Sequence, residues 1–119
     1  MKLGKKLTGG KYIKRRKKKK YERAGQKKIV KLGEEKRKSS RIRGGNRKTF
    51  LLKGKTINVT EKGKTKKLEI KNVLETPSNR FLARQNILTK GTIVETSEGK
   101  VKITNRPTQE GTLNGIKVE

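Results

Sequence analysis

The chain has no cysteine and no histidine. The first absence excludes disulfides, thiolate metal sites and a cysteine nucleophile. The second removes the commonest general base and the commonest metal ligand. Aromatic residues are confined to Tyr12, Tyr21, Phe50 and Phe81, and apolar residues make up 27% of the chain. An average globular domain has roughly 45–50%, so a large buried core is not expected. No apolar run is longer than Phe50-Leu51-Leu52, which leaves neither a transmembrane helix nor a signal-peptide core. Acidic residues are scarce too, 10 against 36 Lys and Arg, for a net charge of +26 in 119 residues.

A compact body with that charge repels itself and calls for a polyanion to offset it. The charge is unevenly spread. Residues 1–48 hold 22 basic and 3 acidic side chains, a net of +19, and residues 49–119 hold 14 and 7, a net of +7. Apolar residues divide the other way, 11 to 21. The length suits one small domain. The distribution predicts a basic arm over residues 1–26 and a body over 27–119. Lys14-Arg15-Arg16-Lys17-Lys18-Lys19-Lys20 is an unbroken cationic run. Ordering a residue costs about 1–2 kcal/mol of backbone entropy. Tyr12, Ile13 and Tyr21 cannot offset that over such a length, so the arm is expected to be disordered in isolation. A helix over 11–24 becomes available once phosphates neutralise the repulsion.

The body reads as short strands with turn punctuation. Ile29–Leu32 is a strand candidate ending at Gly33, and Lys36–Arg43 is a polar edge or RNA-facing strand. Gly44-Gly45-Asn46 is a turn, and Thr49–Leu52 follows. Ile57 and Val59 alternate with Asn58 and Thr60, and Leu68 and Ile70 with Lys67, Glu69 and Lys71, across a turn at 61–64. Pro77-Ser78-Asn79 breaks the chain. Arg80–Leu88 is a short helical turn or loop carrying Phe81 and Leu82 inward. Gly91–Thr96 is a strand, Ser97-Glu98-Gly99 a turn, and Val101 and Ile103 alternate with lysines. Arg106–Gly111 reads as a loop. The odd step from Leu113 to Ile116 predicts a bulge at Asn114-Gly115. Regularly spaced short strands in so few residues predict a mainly β fold, a small closed β-barrel without exposed edges.

Motifs for chemistry are weak. Gly54-Lys55-Thr56 and Gly63-Lys64-Thr65 lack the earlier glycine of a phosphate-binding loop, since Thr49 and Asn58 stand there. Hairpin turns explain both. Asn58-Val59-Thr60 fits a glycosylation sequon inside a predicted strand. Glu34-Glu35 sits among cations and reads as local charge relief rather than a catalytic acid pair. No catalytic residue, metal ligand or cofactor site follows, and an enzyme is the least favoured class.

The cations carry the functional signal. In the arm the candidate RNA-binding residues are Lys5, Lys6, Thr8, Lys11, Tyr12, Lys14, Arg15, Arg16, Lys17, Lys18, Lys19, Lys20 and Tyr21. Aromatic planes beside cations suit stacking on unpaired bases. Arg41, Arg43, Asn46 and Arg47 surround a glycine turn where guanidinium forks can meet phosphate. Arg80, Arg84 and Lys90 flank a second loop region, and Arg106 precedes Pro107.

Several stretches in order resemble one family. They are Lys5-x-x-Thr8-Gly9-Gly10 leading into the cationic cluster and Tyr21, Gly33-Glu34-Glu35-Lys36-Arg37, and Arg41-x-Arg43-Gly44-Gly45-Asn46. Asn79-Arg80, Asn86-Ile87-Leu88-Thr89-Lys90-Gly91 and Thr104-x-Arg106-Pro107-x-Gln109-Glu110-Gly111 complete the set. The chain is similar to the archaeal and eukaryotic small-subunit ribosomal protein S8e family, in its short archaeal form. It departs from that pattern at Lys5, Asn105, Thr108 and Glu110. The resemblance implies a β-barrel body, a basic arm embedded in small-subunit rRNA and a structural role in a cytoplasmic ribosome.

The leading expectation is therefore a structural constituent of the small ribosomal subunit. It would be a monomer within the ribosome, beside neighbouring ribosomal proteins and away from any membrane. A DNA-compacting basic protein shares the composition and is the alternative. A binder of anionic membranes would need an amphipathic helix, and residues 1–26 have too few large apolar side chains for one.

Overall fold

Alternating apolar residues wind the second half of the chain into a closed five-stranded barrel in the computed structural model, which describes residues 4–13, 15–61 and 63–118. A three-stranded sheet precedes it, formed by β1 (Lys31–Leu32), β2 (Lys36–Arg41) and β3 (Arg47–Gly54) in the order β1-β3-β2. The barrel strands are β4 (Thr56–Glu61), β5 (Lys64–Glu75), β6 (Ile93–Thr96), β7 (Gly99–Ile103) and β8 (Asn114–Lys117). Neighbours in sequence pair antiparallel, and a parallel β4–β8 ladder from Asn58↔Asn114 to Thr60↔Ile116 closes the ring. Closure leaves no free edge among these five strands. Two short helices fill the connections, α1 (Arg80–Arg84) and α2 (Pro107–Glu110).

The inward positions match the alternation in the sequence. Ile57, Val59, Leu68, Ile70, Val94, Val101 and Ile103 are buried in one cluster with Val30, Leu51, Val73, Leu88 and Leu113. Burying each such side chain contributes about 1.5–3 kcal/mol. The break in period-2 parity falls in β5, not in β8 as the sequence suggested. Ladder register shifts between Ile70 and Asn72, so Ile70 and Val73, three residues apart, both face inward. The Asn72 side-chain oxygen accepts a hydrogen bond from the Val73 N–H at 2.9 Å, which satisfies a backbone donor at this irregularity. In β8 the register is continuous. Gly115 takes the inner position there and Ile116 points outward, 48% exposed.

Two other expectations are corrected. Phe81 is 54% exposed rather than turned inward. Residues 107–110 form the helical turn α2 rather than an irregular loop, with Pro107 at its start, where a missing N–H costs nothing. Within 11–24, in the chain without RNA, the described residues carry a 3-10 turn at Lys20–Glu22.

The segment before the barrel is tied down from Val30 onward. Val30 O accepts from Leu88 N and Asn86 O accepts from Leu32 N, both at 2.9 Å. Asn86 adopts a positive φ of 52° just after α1, a geometry Asn tolerates better than most residues. The resembling motif Asn86-Ile87-Leu88-Thr89-Lys90-Gly91 is thus largely architectural. Ile87 and Leu88 are buried, the Thr89 and Thr92 hydroxyls meet at 3.0 Å, and Gly91 N donates to Ile103 O at 2.7 Å.

Among the described residues, none from 4 to 29 is buried. The radius of gyration is 21.6 Å, against roughly 13.5 Å for a compact chain of this length. The N-terminal segment stands off the body.

Candidate nucleic-acid interface

The N-terminal segment presents its cations without competing contacts from the body. Lys5 and Lys11 pair in an isolated antiparallel bridge around the turn at Thr8-Gly9-Gly10, with Lys6 N donating to Gly10 O at 2.8 Å. This small hairpin places the Lys6 amine 5.8 Å from the centre of the Tyr12 ring, within cation–π range. Arg15 to Lys19 run on without helix or strand, and Lys20 and Tyr21 lie in the 3-10 turn. Tyr12 and Tyr21 are 53% and 78% exposed, so both rings are open to a stacking partner. Lys14 lies outside the described residues, as do residues 1–3, Lys62 and Glu119.

One anion tempers this segment. Arg16 forms a two-pronged ion pair with Glu22, whose second oxygen also accepts from Lys19 N at 2.9 Å. The Arg16 guanidinium, and then the Lys19 N–H, hold the Glu22 carboxyl below its ordinary pKa. A lowered pKa means that the pairing acts above the ordinary Glu value and is lost as pH falls through the lowered one. The pair is solvent-exposed and therefore screened by salt. An NMR titration of the Glu22 carboxyl in the free protein is expected to give a midpoint below that of an unpaired Glu at low ionic strength. Near 1 M salt the midpoint should return toward the ordinary value.

The second cationic feature is the hairpin between β2 and β3. Every β2 residue is exposed, as expected for a polar strand at a sheet edge. Ile42 N donates to Asn46 O at 2.8 Å and closes the loop. Gly44 and Gly45 take φ of 86° and 83° with open space around them, a conformation that glycine adopts without steric cost. Arg41 and Arg47 face each other across the ladder, so these two and Arg43 ring the tip.

The third feature gathers residues distant in sequence. The chain at 25–29 passes a groove whose walls come from Asn79, Leu82, Ile87, Thr89 and α2. Lys28 lies 3.1 Å from the centre of the Phe50 ring, anchoring the base of the N-terminal segment on β3. α2 packs on β3 as well, where Lys48 Nζ donates to Gln109 Oε1. Arg80 starts α1 beside Asn79, and Arg106 precedes α2. The fold therefore brings Arg80 and Arg106 to the surroundings of one groove. Arg84 borders a separate recess with Leu74 and Asn86, and Lys90 occupies the exposed turn before β6. Sequence reasoning missed Lys28, because its partner Phe50 is 22 positions away and no local spacing links them.

Charge on the barrel wall is partly offset. Lys55–Glu69, Lys66–Glu98 and Lys117–Glu61 pair at 3.1, 3.2 and 3.5 Å. Each exposed pair adds only about 0–1 kcal/mol of stability, but together they lower the net charge of that wall. Among the described residues, Arg41, Arg43, Arg47, Arg80, Arg84, Lys90 and Arg106 form no ion pair. The Thr104–Gly111 motif is held from within. Asn105 Nδ2 donates to Glu110 Oε2 at 3.0 Å and to Thr112 O at 2.8 Å, and Asn105 Oδ1 accepts from Asn114 N at 3.1 Å. Arg106, next to Asn105 and just before α2, is exposed. The described residues contain no group of His, Cys, Asp and Glu side chains able to hold a metal, and no helix long and apolar enough to cross a membrane.

Known proteins carry the same arrangement of sequence. A family profile described as ribosomal protein S8e matches residues 2–118. Three archaeal relatives are each named small ribosomal subunit protein eS8. The one from Nanoarchaeum equitans is 48% identical, covering 95% of this chain and 91% of the relative. The one from Staphylothermus marinus is 47% identical, covering 96% and 91%. The one from Methanosarcina barkeri is 40% identical, covering 96% and 93%. The cationic segment, the glycine-tipped hairpin and the barrel with its loop motifs all fall within these matches. The chain belongs to the ribosomal protein S8e family, whose members are structural proteins rather than enzymes.

Proposed function

We propose that this protein is a structural constituent of the small ribosomal subunit that binds rRNA through its basic arm, residues 1–26, and through the cationic loops of a body spanning 27–119. The observation that carries the reading is the segregation of charge. Residues 1–48 carry a net charge of +19 against +7 for residues 49–119, and three ion pairs among the described residues offset part of the barrel-wall charge. The names of its relatives support the subunit. Binding works by charge neutralisation and counterion release at phosphates. The barrel supplies a rigid base for the loops, and the arm, which buries no described side chain against the body, threads between RNA helices. The protein acts as a cytoplasmic monomer within the ribosome, beside other ribosomal proteins.

Competition binding tests this reading. At moderate salt, folded small-subunit rRNA should displace duplex DNA of equal length from the protein. Equal affinity for the two would favour DNA compaction. Replacing Arg41, Arg43 and Arg47 with Ala should weaken rRNA binding by about tenfold or more and reduce the salt slope by roughly 2–3. The thermal unfolding midpoint of the triple variant should stay close to that of the parent protein, since all three side chains are exposed.

A further inference from the structure

We infer that the groove under residues 25–29 is a nucleobase-reading subsite, which takes one unpaired guanine extruded from the bound RNA. The inference rests on the RNA-binding reading above and adds direct base recognition to it.

The groove measures about 630 Å³, within the size range of small-ligand sites. Leu82 and the buried Ile87 supply an apolar wall, suited to the face of a base taken out of its stack. Two carboxamides border that wall, Asn79 and Gln109. In each the oxygen is already engaged. Asn79 Oδ1 accepts from Phe81 N at 2.9 Å as the N-cap of α1, and Gln109 Oε1 accepts from Lys48 Nζ. Among the described residues neither NH2 group donates to a protein acceptor. The groove therefore offers donors, and a base edge that matches donors must carry acceptors. Guanine presents two adjacent acceptors, N7 and O6, on one edge, uracil presents the single acceptor O4, and adenine and cytosine present an amino donor there. Lys27 and Lys28 border the groove, with Lys28 fixed over Phe50. They place positive charge where the phosphate of an extruded nucleotide would pass. Charge complementarity thus selects a nucleotide over an apolar peptide for this groove.

The test uses the full-length protein on small-subunit rRNA, with N7 methylation by dimethyl sulfate as the probe of guanine and hydroxyl-radical cleavage as the probe of the backbone. The variant N79D/Q109E keeps the capping oxygen and the Lys48 contact but removes both NH2 donors. Q85E makes a charge change of the same sign at an exposed residue that does not line the groove. The wild-type protein should shield the N7 of one unpaired guanine. The double variant should lose that shielding alone, keep the backbone footprint, and bind about tenfold or more weaker. Q85E should retain the shielding. If the double variant binds with the same guanine shielding as wild type, or if wild type shields no unpaired guanine while its backbone footprint is present, the subsite is refuted and rRNA binding stands. If wild type leaves no backbone footprint at all, the RNA reading itself fails and the subsite falls with it.

Discussion

Removal of residues 1–26 should flatten the log–log salt dependence of rRNA binding by roughly 4–5. The segment carries Lys2, Lys5, Lys6, Lys11, Lys14, Arg15, Arg16, Lys17, Lys18, Lys19, Lys20 and Arg23, twelve cations in all. Each phosphate contact contributes roughly 0.7–0.9 to the slope, and the figure supposes that about half of the cations engage. Between 50 and 200 mM salt, the affinity lost by the truncated protein should be smaller than that lost by the full chain by a factor on the order of several hundred to a thousand. The truncated body should nevertheless melt near the temperature of the full chain. No described residue before Val30 is buried, and the Lys28–Phe50 contact and the Val30–Leu88 hydrogen bond remain. Fluorescence anisotropy at a series of salt concentrations, with thermal unfolding in parallel, reads both outcomes. An unchanged slope, or an unfolded body, would show that arm and body do not divide binding from folding in this way.

The largest stability effect is expected at Gly115. This residue sits on β8 between Val59 of β4 and Ile103 of β7, at the seam where the barrel closes. A Cβ there would lie 2.6 Å from Val101 Cγ1, 2.9 Å from Ile57 Cδ1 and 2.9 Å from the Lys102 carbonyl oxygen. The first two contacts are with core side chains and the third is with backbone, so relief requires the seam to open. Overpacking of this kind costs about 1–3 kcal/mol, and more where backbone must move. Gly115→Val should lie at or above the top of that range and lower the melting temperature by about 10 °C or more. Gly25→Ala, in open space without a positive φ, should change it very little. Calorimetry of the two variants against the parent separates a packing effect from a general cost of replacing glycine. Equal melting temperatures would mean that the β4–β8 seam does not limit stability.

The same seam explains what could be read in advance and what could not. Strands β4 and β7 follow from strict alternation, because Ile57, Val59, Val101 and Ile103 each have polar neighbours on both sides. The exposed edge strand β2 follows from its lack of apolar residues. The odd step from Leu113 to Ile116 is a fact of sequence, but the bulge it suggested at Asn114-Gly115 is not formed. Leu113 and Ile116 looked like two core residues separated by a bulge, because a glycine carries no hydrophobic signal. In the fold Gly115 is the inner residue, since Val101 and Ile57 already fill its space. The irregularities in β5, between Ile70 and Asn72 and between Val73 and Glu75, follow a run whose alternation reads as continuous up to Ile70.

Among the candidate binding residues, the arm and the β2–β3 tip were legible because cations and glycines are contiguous there. The grouping around the groove was not. Lys28, Asn79, Arg106 and Gln109 are brought near one another by the packing of Lys28 and α2 on β3 and by the pairing of residues 30–32 with 86–88. Those contacts span dozens of positions and leave no local pattern. Phe81 shows the converse. A large aromatic in a helical turn reads as core, yet it lies on the outer side with the Arg80 guanidinium 5.3 Å from its ring centre.

Sedimentation of the native protein in cell extract tests the central claim most directly. The account predicts co-migration with small ribosomal subunits, retained after a moderate-salt wash and abolished by ribonuclease but not by deoxyribonuclease. Migration with DNA, or release by deoxyribonuclease while the subunits stay intact, would contradict it.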